Sequence, residues 1–292
     1  MADPSFLAPI CSAILPIAVA TACAPSLEQV QGRAALLVER GRYEEAEALL
    51  RRVAAEKPNA REPRRLLVRV LGLQGKLGPA RDEAERLAEK EPGSAVPWIE
   101  LGHAFELAHR YDEALRCYDR AARAAPRDPA GPRTGGMRAA RWGEVREAEP
   151  RLIEALRRDS RDARVWHALG LVRTHLGNIR GARDAYQAGL KADRRALENR
   201  LGLATVAWLL DEPAEALSQY DAILSERPGF ADAHLGRSWA LIRLGRYDEA
   251  ERALDQGQGL GADATVVARQ RDLLYKLRAK GRIGGDVRPR NQ

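Results

Sequence analysis

Five histidines and three cysteines are the residues of this 292-residue chain best suited to hold a metal or act as a nucleophile. Their spacing assembles no such site. His167 and His175 stand eight residues apart on one predicted helix. That is about two turns, or ~12 Å, too far for one ion. His103, His109 and His234 are scattered over other segments, and no Cys-x-x-Cys or Cys/His pair has zinc spacing. There is no His-Glu-x-x-His, no Gly-x-Ser-x-Gly and no phosphate loop ending in Gly-Lys-Ser/Thr. Gly257, Gly259 and Gly261 form a G-x-G-x-G string, but no strand pattern precedes it, and it reads as a frayed helix end. Acidic pairs such as Glu44-Glu45 and Asp248-Glu249 suit the first turn of a helix, where negative charge offsets the dipole. The residues therefore point away from catalysis, a cofactor or a metal centre, and toward binding.

The cysteines do not form a disulfide framework. Cys117 reads as a small half-buried hydrophobe. Cys23 closes the string Ala20-Thr21-Ala22-Cys23, which follows an uncharged, mostly apolar run from Ile10 to Ala22. That run is too short to span a bilayer as a helix. A short apolar stretch ending in small residues has the form of a secretory signal. With the cysteine it resembles a bacterial lipoprotein signal, which implies cleavage before Cys23 and acylation of that residue. Residues 1–22 would then be a signal peptide and 23–26 a short anchor linker, and Ala24 implies sorting to the outer membrane. Asp3 stands where such signals carry Lys or Arg, and Ala20 where Leu or Val is usual, so an apolar leader on a cytoplasmic chain stays open as the alternative.

The elements that position everything else are announced by alanine. Ala46, Ala80, Ala114, Ala148, Ala182, Ala216 and Ala250 are each 34 residues from the next. A fixed period of this size marks stacked supersecondary units. Five residues before each alanine stand Gly41, Gly75, His109, Gly143, Gly177, Asp211 and Gly245. Pro58, Pro92, Pro126 and Pro228 close four units, and Trp98 and Trp166 open two. The third unit carries Trp98, Leu101, Gly102, Phe105, Tyr111, Ala114, Tyr118, Ala121 and Pro126. This pattern resembles the tetratricopeptide repeat, whose unit is a helix–turn–helix of 34 residues. The resemblance implies an all-α fold: a right-handed α-solenoid of seven units at 27–60, 61–94, 95–128, 129–162, 163–196, 197–230 and 231–264. A capping helix over 265–280 and a disordered tail over 281–292 complete the reading.

Each column has a physical reason. Glycine suits the reversal between two helices, which requires a left-handed residue. Alanine allows the second helix to press on its neighbour, and proline ends the unit. A single helix pair cannot bury its own apolar face, so neighbours supply the core and the last unit needs a cap. The fourth unit departs from the pattern. Pro129, Gly131, Pro132, Gly135 and Gly136 fall in its first helix and Pro150 in its second, which suggests a flexible joint.

In this family the first helices line a concave groove, so helical spacing names the groove residues. Leu201, Thr205 and Trp208 fall at i, i+4 and i+7, and Leu235, Trp239 and Ile242 repeat the stripe, joined by Leu171 and Leu209. They form a candidate anchor for an amphipathic or extended partner segment, since Trp concentrates binding energy. The alternative is that the cap folds back over the stripe. Arg65, Arg69 and Arg133 occupy the matching stripe of the first half, with His103 between them. They would favour an acidic peptide or form a solvated basic face. The chaperone-binding members use paired Asn and Lys; Gly32, Ala35, Leu66 and Arg69 stand there instead, so that role is not carried over.

The formal charge of +7 is carried by arginines interleaved with acids along the helices. Interleaving gives local pairs rather than a phosphate-tracking stripe, which disfavours nucleic acid as a partner and leaves attraction to an anionic surface. The expected function is a non-catalytic scaffold that binds protein or peptide segments. It would be either an envelope lipoprotein that assists assembly of a pilus, secretin or similar machine, or a cytoplasmic adaptor or co-chaperone.

Overall fold

The computed structural model describes residues 26–284, with side chains through 279. Fifteen helices and no strand occur among the described residues. They form seven antiparallel pairs: α1 (Leu27–Glu39) with α2 (Tyr43–Glu56), α3 (Arg61–Leu73) with α4 (Leu77–Lys90), α5 (Val96–Leu107) with α6 (Tyr111–Ala124), α7 (Ala130–Trp142) with α8 (Val145–Arg158), α9 (Ala163–His175) with α10 (Ile179–Ala192), α11 (Leu197–Leu209) with α12 (Pro213–Glu226), and α13 (Ala231–Arg243) with α14 (Tyr247–Gly259). α15 (Ala264–Gly284) follows. Each helix packs on its sequence neighbours, and first helices also touch the first helices of adjacent units. This is an α-solenoid.

The seven columnar alanines are all at most 1 % exposed. The turn column closes every first helix in the same way. Its residue takes a positive φ, between 69° and 84° for the five glycines, 57° for His109 and 56° for Asp211. The next residue donates its N–H to the carbonyl five positions back, as Arg42 does to Leu37, Arg110 to Phe105 and Glu212 to Ala207. This double hydrogen-bond closure satisfies carbonyls that the helix end would leave bare. The G-x-G-x-G string uses the same device: Ala262 donates to the Gly257 carbonyl, Gly261 takes φ 85°, and Gly257 is buried. It is a closed helix end rather than a frayed one.

Glycines on the first helices have a second use. A Cβ at Gly102 would collide with the ring of Tyr118, and one at Gly170 or Gly202 with the ring of Tyr186. Tyr186 thus sits between its own unit and the next, and glycine on both sides lets the helices close on it.

The fourth unit is continuous. α7 and α8 are regular helices despite Pro150, and one buried cluster runs through them from Val30 to Ala185. Its glycines answer close packing, since a Cβ at Gly131 would lie 2.6 Å from the Ala122 nitrogen and one at Gly136 2.8 Å from Leu152. Separate buried clusters appear farther on, around Ala182–Val206 and Ala207–Leu274.

α15 caps the array, with Val267 and Leu274 buried against α13 and α14. Val266 and Leu273, each adjacent in sequence to one of these, are over a third exposed. Arg271 pairs with Asp255, and Arg278 with Asp248 and Glu251, so the cap is tied mainly to α14. The helix runs to Gly284, four residues into the segment expected to be a disordered tail, because each added residue of a formed helix gains one backbone hydrogen bond. Residues 1–25 and 285–292, where the expected signal peptide, Cys23 and the rest of the expected tail fall, lie outside the described residues.

Candidate functional site

The repeat register delivers one residue per unit to each line of the groove. One line is Arg69, His103, Met137, Leu171, Thr205 and Trp239; the next, one turn on, is Leu73, Leu107, Arg141, His175, Leu209 and Arg243. Their chemistry changes along the array and divides the groove into three zones.

The first zone is ionic. Arg65 donates through Nε to Oε1 of Glu100 at 2.8 Å, and Arg69 through Nη2 to Oε2 at 3.1 Å. His103 Nδ1 lies 3.9 Å from the same carboxylate. Glu100 is only 2 % exposed. Burial alone would raise its pKa, but His103, Arg65 and the charge of Arg69 outweigh that and hold it down at about 2. Arg133 pairs with Asp162 at 3.5 Å, and Arg138 with Glu106 at 3.3 Å. The expected positive lining is therefore neutralised from within: Arg65, Arg69 and Arg133 all have acidic partners. Glu100 was missed in the sequence, although a carboxylate in a column otherwise held by Gly32, Leu66, Thr134, Ala168, Gly202 and Gly236 was the available signal. At the rim, Tyr111 stacks on Trp142 with ring centroids 4.5 Å apart and planes tilted 35°. Leu107 is 47 % exposed beside them.

The middle zone is a cleft of about 790 Å³ along α9, between α7 and the start of α11. Leu171, which the sequence groups with the tryptophans, lies here and is 42 % exposed. Met137 and Ala140 from α7 and Ala168 and Val172 from α9 make the apolar floor and walls. His167 and His175 both line this cleft. Burial lowers the His167 pKa against a small opposing pull from Glu198, so its imidazole is neutral near pH 7. Met137 stands one period before Leu171, a signal masked in the sequence by the glycines and prolines that dominate its helix.

The third zone holds the tryptophans. Trp208 and Trp239 meet edge to face, centroids 5.7 Å apart at 61°. Trp208 is 49 % exposed and Leu209 42 %, Thr205 is exposed, and Leu201 is half-buried. Arg243 lies over the Trp239 ring at 5.5 Å and pairs with Asp211. The cap leaves Trp208 open. Leu235 and Ile242 do not belong to this surface: they are 7 % and 2 % exposed, within the last buried cluster. The end unit has only the single helix α15 beyond it, and their side chains fill core that a full unit would otherwise supply. On the other faces of α11 and α13, Leu203, Ala204, Ala207, Ser238 and Leu241 are buried. Cys117 is buried too, and burial pushes its thiol up to about 11, which leaves it unreactive near neutral pH.

This geometry offers an extended concave surface with an internally neutralised end, an apolar cleft and an aromatic platform. Two solved structures share the fold. The C-terminal part of a TPR repeat-containing protein from Cytophaga hutchinsonii is 15 % identical and covers 81 % of this chain and 98 % of its own, with TM-score 0.63. PilF of Pseudomonas aeruginosa is 21 % identical and covers 73 % of this chain and 98 % of its own, with TM-score 0.54. Among curated proteins, human protein O-mannosyl-transferase TMTC1 is 32 % identical over 95 residues, and this chain spans about 11 % of that protein's length. Tetratricopeptide arrays are protein–protein interaction scaffolds, presenting the long concave face that stacked repeats create. Tetratricopeptide repeat models match residues 37–96, 95–128, 134–199 and 207–273, most of the array, and the chain belongs to the tetratricopeptide repeat family.

Proposed function

We propose that this chain is a cell-envelope scaffold, carried on a membrane by acylated Cys23, that holds segments of partner proteins in its concave groove while an envelope complex is assembled. The observation that carries the binding part is the Trp208–Trp239 pair, half-open in the groove with the cap packed elsewhere. Large aromatic side chains left exposed in a concave surface are where binding energy concentrates. The anchoring part rests on Ala20-Thr21-Ala22-Cys23 after the apolar run. Only Ala24 and Pro25 separate Cys23 from Ser26, the N-cap of α1. Acylation there would hold the array close to the bilayer, and the net positive charge would favour an anionic surface.

The mass of the mature N-terminus, measured after expression in a bacterium with its own lipoprotein pathway, tests the anchor. A chain beginning at acylated Cys23 supports it, and an unmodified Met1 overturns it. Asp3 ahead of the apolar run favours the second reading, a cytoplasmic adaptor using the same groove, and that result would select it.

A further inference from the structure

The middle cleft differs from the rest of the groove in one respect. Its long axis follows α9 from Ala163 to His175, 13 residues, or ~18 Å at 1.5 Å per residue. Its centre is apolar, with Met137, Leu171 and Ala168 between the flanking helices. Its ends are charged and differ from each other. At the turn end Arg141 has no ion-pair partner among the described residues, and no carboxylate lines the cleft there. At the loop end Arg164 is paired with Asp162, and Arg195 shares the rim with Asp193 and Glu198. His175 at the turn end holds the Leu171 carbonyl, and the neutral His167 sits in the wall.

We propose, on the reading that partner segments occupy the groove, that this cleft takes a helical segment of about three turns lying along α9. Its apolar side chains, at i, i+4 and i+7, fill the space over Met137, Ala168 and Leu171, and an acidic residue at one end pairs with Arg141. A three-turn helix matches the cleft's length. Its apolar stripe covers side chains that are otherwise wet: Leu171 is 42 % exposed and Met137 38 %. The unpaired Arg141 at one end, against a mixed rim at the other, sets the direction in which the segment lies.

The test is selection of random 16-residue peptides displayed on phage against the full chain, followed by binding of the enriched peptides to three variants. The enriched set is expected to carry the i, i+4, i+7 apolar stripe with Asp or Glu at one end. Leu171→Asp, at an exposed position that leaves helicity intact, should weaken these peptides at least tenfold. Arg141→Glu should exchange the acidic end for Lys or Arg when the selection is repeated. Retained affinity in Leu171→Asp overturns the cleft as the site; if Trp208→Ala then weakens the same peptides, the groove reading stands without it. Enriched peptides indifferent to all three variants, or no enrichment over an unrelated helical protein, overturn both.

Discussion

Trp208 of α11 and Trp239 of α13 lie 31 residues apart in the chain and edge to face in space, with 5.7 Å between ring centroids. Neither belongs to a packing column, so the pair is surplus to the array's own stability apart from the ~1 kcal/mol such a contact contributes. The double variant Trp208→Ala/Trp239→Ala should lose partner capture while keeping its helical circular dichroism and melting within a few degrees of the parent. Unchanged capture would remove this zone from the binding surface.

Glu100 predicts a pH dependence. Its carboxyl titrates at about 2 when folded, against an ordinary value of 4.5. The folded value is depressed, so the stabilisation is fully present above the unfolded pKa and is lost as pH falls through the window from about 5 to 2. The difference corresponds to at most ~3 kcal/mol, since Arg65 and Arg69 are over two-fifths exposed and solvent screens part of it. In Glu100→Gln the acid limb of a stability–pH curve should flatten. The same substitution frees two arginines in the groove and should create affinity for acidic peptides that the parent lacks, read by fluorescence anisotropy with a Glu-rich peptide.

The two non-glycine turn residues predict stabilising substitutions. His109 and Asp211 hold a left-handed backbone that costs a side-chain-bearing residue roughly 1 kcal/mol. His109→Gly should raise the midpoint of denaturant unfolding. Asp211→Gly should raise it less, because the Asp211–Arg243 pair is lost with it. Equal or lower midpoints would show that the turns are strained by something other than φ.

Close-packed glycines predict the reverse. Gly102→Ala and Gly136→Ala place a methyl against Tyr118 and Leu152, and each should cost ~1–3 kcal/mol by overpacking. Because Gly131 against Ala122 and Gly135 against Tyr118 knit the fourth unit to the third, amide exchange across 129–150 should be as slow as in α6 and α9. Faster exchange there would restore the flexible joint.

How much of this could be read in advance follows from where each residue's role is decided. The alanine period determined the number of units, the helix pairs and the turn positions, because small-residue and left-handed requirements are local and recur in every unit. The three-dimensional array decided the rest. Arg65 and Arg69 look like a free basic stripe until Glu100, in the next unit, is seen to reach both. Leu235 and Ile242 share their helical spacing with Leu201 and Trp208, but only the position of α15 at the end of the stack makes them core. Glycines that read as a break in α7 became packing once their neighbours in α6 and α8 were in place. Spacing within a helix determines which face a residue occupies; what meets that face depends on chain 30 or so residues away, and only the tertiary structure brings the two together.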